Sequence, residues 1–238
     1  MRLVISGGAS GEEQMAMDES MLILLSNGLL EPTVRIWNFL PTTLSIGRFL
    51  AYEDWVDEGK RLELSIPVVR RFTGGGPALH DEKGEITWTI VGNFSMTEGY
   101  EIAGKSIVNA ARELGVSATF TPINDVEAEG KKICGMAGAT RRRATLIHGT
   151  FMFNTDLSML SVIRLPSAKE SVRGRPSSRV TNISLLLGRR VSREEALTAI
   201  INGFSWLGLK EGNTTQIERD LAKELSFKYS NEKWTKIR

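Results

Sequence analysis

The stretch Glu85 to Val91 alternates Ile86, Trp88 and Ile90 with Thr87 and Thr89, a period of two that only an extended strand can present as two distinct faces. A chain with that element near its middle must build a sheet, and its neighbours decide which kind. Thr33 to Phe39, Leu44 to Gly47 and Ile66 to Arg71 read as further strands bounded by Pro or Gly, Leu146 to Phe153 alternates again, and residues 2 to 5 could form a first strand. Ala118 to Phe120, Asn124 to Glu127 and Lys131 to Cys134 are three shorter pieces. Helices interrupt these strands without a regular strand–helix–strand beat. Ser10 with Glu13 fits a capping box opening a helix over about Glu12 to Ser26, which Asn27-Gly28 stops. Helical spacing of Ile102, Ile107, Val108, Ala111 and Leu114 predicts another from Tyr100 to Leu114. Ser192 with Glu195 and Thr215 with Glu218 predict two more, over Arg193 to Leu207 and Gln216 to Leu225. Pro166 to Arg179, rich in Ser, Pro and basic residues, reads as a loop. The fold class expected is α+β, a mixed and mainly antiparallel sheet flanked by helices, in a single domain over residues 1–238 with no linker or repeat.

Composition narrows the function classes. With 30 Lys+Arg against 28 Asp+Glu the net charge is +2, too small an excess to mark a nucleic-acid binder. The longest apolar runs fall far short of the roughly 20 residues a membrane helix needs, so no membrane partner is expected. The single cysteine, Cys134, can form no internal disulfide, and His80 and His148 are the only histidines, so no Cys/His set has metal-ligand spacing. A cytoplasmic location is the expectation.

Three segments carry possible chemistry. In Arg70-Arg71-Phe72-Thr73-Gly74-Gly75-Gly76-Pro77-Ala78-Leu79-His80-Asp81, three glycines without Cβ let backbone N–H groups approach an anion, and two arginines add charge. The loop is neither a Walker A loop nor a Rossmann fingerprint, and taken alone it fits a basic hairpin equally well. Asn124-Asp125 precedes Gly130-Lys131-Lys132-Ile133-Cys134-Gly135-Met136-Ala137, where strand alternation sends Lys131 and Lys132 to opposite faces and puts Cys134 on the face of Lys132. His148-Gly149-Thr150 lies in an alternating apolar run, where a lone histidine is as well explained by a structural hydrogen bond. Asp18 and Glu19 fall mid-helix, solvated or aimed at a cleft, and Arg141 to Arg143 read as a solvated turn.

Together these segments, followed by Ser177-Ser178-Arg179-Val180-Thr181-Asn182-Ile183, closely resemble the lipoate–protein ligase family in its large catalytic domain, from about Leu3 to Lys233-Trp234. That resemblance implies the fold of the biotin/lipoate ligase catalytic domain and an ATP-dependent reaction. Lipoate would be activated to lipoyl-AMP, then passed to a lysine of an acceptor lipoyl domain of a 2-oxoacid dehydrogenase complex or to glycine cleavage H protein. It implies Arg71, Gly74, Gly75, Gly76, Ala78, Leu79, Asn124, Asp125, Lys132 and Thr150 around ATP. Met17, Arg71, Thr73, His80, Lys132, Gly135, Ala137 and His148 would surround lipoate, with Met15 and Leu79 as further candidates for the slot of its tail. By the same resemblance Lys132 would be the catalytic residue, facing the negative charge where carboxylate meets phosphate, and Asp125 is a candidate Mg²⁺ ligand. Many bacterial members continue into a C-terminal accessory domain; here the expectation is that this domain is absent and that a separate accessory subunit takes its part.

Within the same superfamily, octanoyl- or lipoyl-transferases work without ATP through a cysteine thioester, and Cys134 is the one thiol that could serve. A binding module using the basic segment Arg164 to Arg179, or an inactive scaffold, are the readings outside that chemistry.

Overall fold

The computed structural model describes residues 1–164 and 176–237. Its strands are β1 (Arg2–Ala9), β2 (Thr33–Phe39), β3 (Thr43–Ile46), β4 (Val68–Arg70), β5 (Ala78–His80), β6 (Glu85–Gly92), β7 (Thr119–Thr121), β8 (Asp125–Ala128), β9 (Lys131–Arg141), β10 (Ala144–Met152) and β11 (Lys210–Gly212). Among the described residues they form one sheet in the order β11-β1-β2-β6-β10-β9-β8-β7 and a second in the order β4-β3-β5. The β1 pairings with β2 and β11 are parallel, whereas the run from β2 to β7 is antiparallel throughout. The architecture is thus α+β with a mixed, mainly antiparallel sheet, as the irregular beat of strands and helices implied.

Helices cover both faces of the large sheet. On one, Met96–Glu113 and Arg193–Phe204 pack against Val34, Ile36, Ile86, Trp88, Ile90, Ile147 and Phe151. On the other, helix α1 (Gly11–Ser26) lies with Gln216–Tyr229 over Trp37, Phe39, Val91 and Leu146. The small sheet has its own apolar cluster of Leu44, Ile46, Tyr52, Val56, Ile66, Leu79, Leu160 and Val162. Because helices lie on both sides, β6 is buried at every position. Its threonine face, which alternation alone would leave to solvent, points into the protein, toward α1.

Local signals set most element ends. The Ser10/Glu13 box caps α1, and Gly28 leaves it at φ 73°, a conformation glycine adopts at no steric cost. The helix expected from Tyr100 begins at Met96 instead, because Ser95 and Glu98 form a capping box one turn earlier. The helix from Arg193 ends at Phe204, with Ser205–Leu207 continuing as a 3-10 turn, and that from Gln216 runs on to Tyr229. Strand β9 extends well past Cys134, to Arg141, and a two-residue turn with Arg142 at φ 54° joins it to β10. The loop expected over Pro166 to Arg179 lies outside the described residues up to position 175, and Pro176–Arg179 is a short helix. No helix among the described residues is long and apolar enough to cross a membrane.

Candidate active site

A cavity of about 440 Å³ lies between the small sheet and the α1-side face of the large one. Strand alternation delivers its floor: Trp37 and Phe39 from β2, Thr87 from β6, and His148, Thr150 and Met152 from β10. Met15 reaches it from α1, and Ser45, Ala78, Leu79 and His80 from the small sheet. Gly75 to Pro77 and Lys132 with Asp125 close one end, and Trp55, Leu160 and Ile163 line the wall beside the small sheet.

The polar end is built around Arg71. Its guanidinium is buried, yet its acceptors are all neutral: the Ser45 carbonyl at 3.1 Å and hydroxyl at 2.7 Å, and the Gly74 and Gly76 carbonyls at 2.9 Å each. Its Nε has no partner. Burial lowers its pKa to about 10, so it is still charged at neutral pH. A buried cation with no carboxylate and an unused donor is costly unless an anion completes it. The glycine loop fits that requirement. Two of its carbonyls turn to Arg71, and its N–H groups at Gly74, Gly75 and Gly76 have no acceptor among the described residues. Gly75 sits at φ 94°, and the loop is pressed so tightly on Gly47 that a Cβ there would come within 2.0 Å of the Gly75 oxygen.

Across the cavity, Lys132 Nζ lies 2.8 Å from Asp125 Oδ1, both partly exposed. The Lys132 chain runs over Gly135, where a Cβ would stand 3.4 Å from Nζ. Asn124 ties down this corner, donating from Nδ2 to the Met136 carbonyl at 2.6 Å and accepting at its own carbonyl from Met136 N–H at 2.8 Å. The segment Arg179-Val180-Thr181-Asn182 takes the place beside β9 that β10 has left. Val180 bridges to Lys132, and Thr181 N–H donates to the Lys132 carbonyl at 2.9 Å. Asn182 caps the following short helix, whereas Arg179 lines the cavity.

Beside Arg71 the lining is polar in composition but neutral in charge. His148 Nδ1 is 2.9 Å from fully buried Asp18 on α1, and His148 Nε2 is 2.8 Å from the Thr73 hydroxyl. Asp18 also pairs with Arg35 at 3.0 Å and accepts from Thr89, so its charge is already matched. Burial lowers the His148 pKa, outweighing Asp18, and keeps the ring neutral. His80 stands 2.7 Å from both the Ser45 hydroxyl and Glu85 Oε1, and burial drives its pKa well down. Glu85 is pushed well up by its own burial, and its Oε2 has no partner.

Most residues expected at the site line this cavity: Arg71, Gly75, Gly76, Ala78, Leu79, His80, Asn124, Asp125, Lys132, Gly135, Ala137, His148 and Thr150. Met17 does not; it stands two residues from Met15, about 200° around the helix, and packs into the cluster beneath α1. Thr73 and Gly74 lie behind the lining, one holding His148 and the other turning its carbonyl to Arg71. Cys134 is not on the face of Lys132. Ile133 is an extra residue against β8, where Val126 opposes Cys134 but Glu127 opposes Lys132, and this bulge turns the thiol into the apolar core. Cys134 is fully buried, and desolvation raises its pKa strongly. For the Mg²⁺ site, Asp125 stands without companions: no group of three His, Cys, Asp or Glu among the described residues could hold a metal. Sequence reading missed Trp37, Phe39, Ser45, Trp55, Thr87, Met152, Leu160 and Ile163, which carry no motif; only the threonine face of β6 gave a hint.

Residues 10–205 match the family described as "Lipoyl protein ligase A/B catalytic domain". The octanoyltransferase LipM of Kyrpidia tusciae is 32% identical over 268 residues, covering 98% of this chain and 97% of that protein. Lipoate-protein ligase A subunit 1 of Thermoplasma acidophilum is 34% identical over 209 residues, 79% of each. Among solved structures, a bi-partite lipoate protein ligase from Thermoplasma acidophilum, described with its E2 lipoyl domain, superposes with a TM-score of 0.86 at 30% identity, covering 100% of this chain and 97% of that one. A lipoate-protein ligase A bound with ATP gives 0.85 at 30% identity, covering 99% of this chain and 98% of the other. With the family matched over most of its length, the chain belongs to the lipoyl protein ligase A/B catalytic domain family.

Proposed function

We propose that this protein is an ATP-dependent lipoate–protein ligase that forms lipoyl-AMP and passes the lipoyl group to a lysine of an acceptor lipoyl domain, working with a separate accessory subunit. The observation that carries the reading is Arg71: a buried guanidinium with neutral partners and an unused Nε, beside three glycine N–H groups without acceptors. That is a site made for a polyanion. Lys132, held only by partly exposed Asp125, can shift to the point where carboxylate meets α-phosphate. There an oxygen of the lipoate carboxylate bonds to the α-phosphorus, the bond to the bridging oxygen breaks, and pyrophosphate departs with the electron pair. In the second half, the neutral amine of the acceptor lysine bonds to the acyl carbon and gives up one N–H proton to solvent, while the bond from the acyl carbon to the phosphate oxygen breaks and AMP leaves with the electron pair. The neutral His148 and His80 offer no competing charge deeper in the cavity, so Arg71 and Lys132 set the register of the carboxylate. The tail then runs along Met15, Trp37, Phe39 and Met152.

Magnesium fits this site only as an ion carried mainly by phosphate and water oxygens, with Asp125 as its one protein carboxylate; bound there, it would neutralise phosphate charge. The accessory subunit is supported by the resemblance to the bi-partite Thermoplasma ligase and to its subunit 1. The acceptor lipoyl domain, of a 2-oxoacid dehydrogenase complex or of H protein, is the partner that brings the lysine.

A second reading, an octanoyl- or lipoyl-transferase acting without ATP, is favoured by the likeness to octanoyltransferase LipM over nearly the whole chain. That chemistry needs a thiolate carrier. The one thiol here, Cys134, is fully buried, faces away from the cavity and has a raised pKa. One experiment separates the two: the pure protein and its Cys134→Ser variant are given Mg-ATP and lipoate, with and without a candidate accessory protein, or a thioester-bound octanoyl group without ATP. Lipoyl-AMP detected by mass spectrometry in both forms is the expected result. Acyl transfer that needs no ATP and is lost in Cys134→Ser would replace the ligase reading with the transferase.

A further inference from the structure

Arg70, next to the ligand-directed Arg71, has no carboxylate partner either, and it is fully buried. Its Nη1 donates to the carbonyls of Gly47 at 3.0 Å, Arg48 at 3.1 Å and Leu50 at 2.7 Å. On the other side, its Nε reaches the carbonyls of Trp234 at 2.9 Å and Thr235 at 3.1 Å, and its Nη2 those of Thr235 at 2.9 Å and Ile237 at 2.8 Å. Trp234 returns the contact, its indole N–H donating to the Arg70 carbonyl at 3.0 Å. One guanidinium thereby ties the strap Trp234–Ile237 to the loop Gly47–Leu50.

That loop in turn shapes the glycine loop. Arg48 N–H donates to the Thr73 carbonyl at 2.9 Å, Gly47 lies flat against the Gly75 carbonyl, and Arg71 N–H donates to the Ile46 carbonyl at 2.8 Å. We propose that the strap Trp234–Ile237 is a working part of the nucleotide site, and that Arg70 is a positioning residue that transmits its docking to the glycine loop. The physical ground is that seven carbonyl bonds converge on a single rigid fork, so the two segments cannot move independently. With the strap lifted, three donor contacts remain, the orientation of Gly47 to Leu50 is no longer over-determined, and the N–H groups of Gly74 to Gly76 lose their aim at phosphate. The strap's hydrogen bonds pass through Arg70 to Gly47–Leu50 and from there to the glycine loop, so the larger effect falls on the nucleotide.

The inference rests on the reading that the glycine loop holds ATP, and the test separates the two. Calorimetric titration with Mg-ATP and, separately, with lipoate would be run on the wild type, on a chain ending at Lys233, on Arg70→Lys and on the two combined, with thermal unfolding followed for each. The truncated chain should bind ATP at least about tenfold more weakly while lipoate affinity changes less than about threefold. Arg70→Lys should do the same, and the combination should be no worse than either alone. A synthetic peptide of residues 230–238 added in trans should restore ATP affinity to the truncated chain but not to Arg70→Lys. Unchanged ATP affinity on truncation would overturn the proposal. So would ATP and lipoate affinities that fall together with the unfolding temperature, since the strap would then serve folding alone. If the wild type binds no ATP, it is the ligase reading that fails.

Discussion

Arg70 and Arg71 are consecutive, both buried and both without a carboxylate, yet they do opposite things. Arg70 spends its donors on seven hydrogen bonds to six backbone carbonyls, whereas Arg71 keeps Nε unused and faces a cavity. Both arise from one strand ending, β4, where alternation points successive side chains to opposite sides. Satisfied hydrogen bonds, and not charge or burial, distinguish a structural cation from a ligand-binding one.

Substitutions put that contrast to work. The largest effect on chemistry is expected from Lys132→Ala and Arg71→Gln, each lowering adenylation, followed as pyrophosphate release, by about 100- to 1000-fold with the fold intact. Equal rates in wild type and variant would break the assignment. Arg70→Ala should instead show first in stability, because it orphans buried carbonyls, with a loss of about 3 kcal/mol or more in denaturant unfolding. If Arg70→Ala and Arg71→Gln were equally destabilising, the distinction between them would collapse. A smaller effect is expected from Glu85→Gln, seen in the pH dependence of stability. Since the folded-state pKa of Glu85 is raised, its contribution is complete below its ordinary carboxylate range and lost as pH rises through the higher folded value. The variant should therefore gain stability relative to wild type at alkaline pH, and a constant difference from pH 4 to 9 would contradict a raised pKa at Glu85. The two histidines act in the reverse sense. Their lowered values make their contribution complete above their ordinary range and lost on acidification. The smallest change is expected from Lys131→Ala, on the exposed side of β9: less than about threefold in adenylation rate.

Much of this was legible in the sequence because the informative residues lie together along the chain. The glycine loop with Arg71, the Asn124-Asp125 pair and the Lys132 segment each form a short run, and the structure brings them to one cavity. Capping boxes fixed helix starts for the same reason, as at Ser10 and Ser192. What stayed hidden depends on partners distant in sequence. Asp18 reads as a mid-helix acid until Arg35, Thr89 and His148 arrive from three strands. Trp37, Phe39 and Met152 read as core because apolar slots and apolar cores use the same side chains. Glycines and alanines in Gly135 to Thr140 hide a central strand, since its pairing with β10 supplies what low strand propensity lacks.

The extra residue at Ile133 acts as a phase shifter. In an uninterrupted strand, Cys134 and Met136 would follow Lys132 on one side, and the bare backbone of Gly135 would be spent on the interior. With the insertion, the lysine and the smallest side chains of the segment, Gly135 and Ala137, reach the same surface, so a long cation and the space in front of it come from one strand. A single unpaired position thus decides what shares a surface with the lysine: smoothing it out would set a thiol and a thioether beside the ammonium where the hollow now lies.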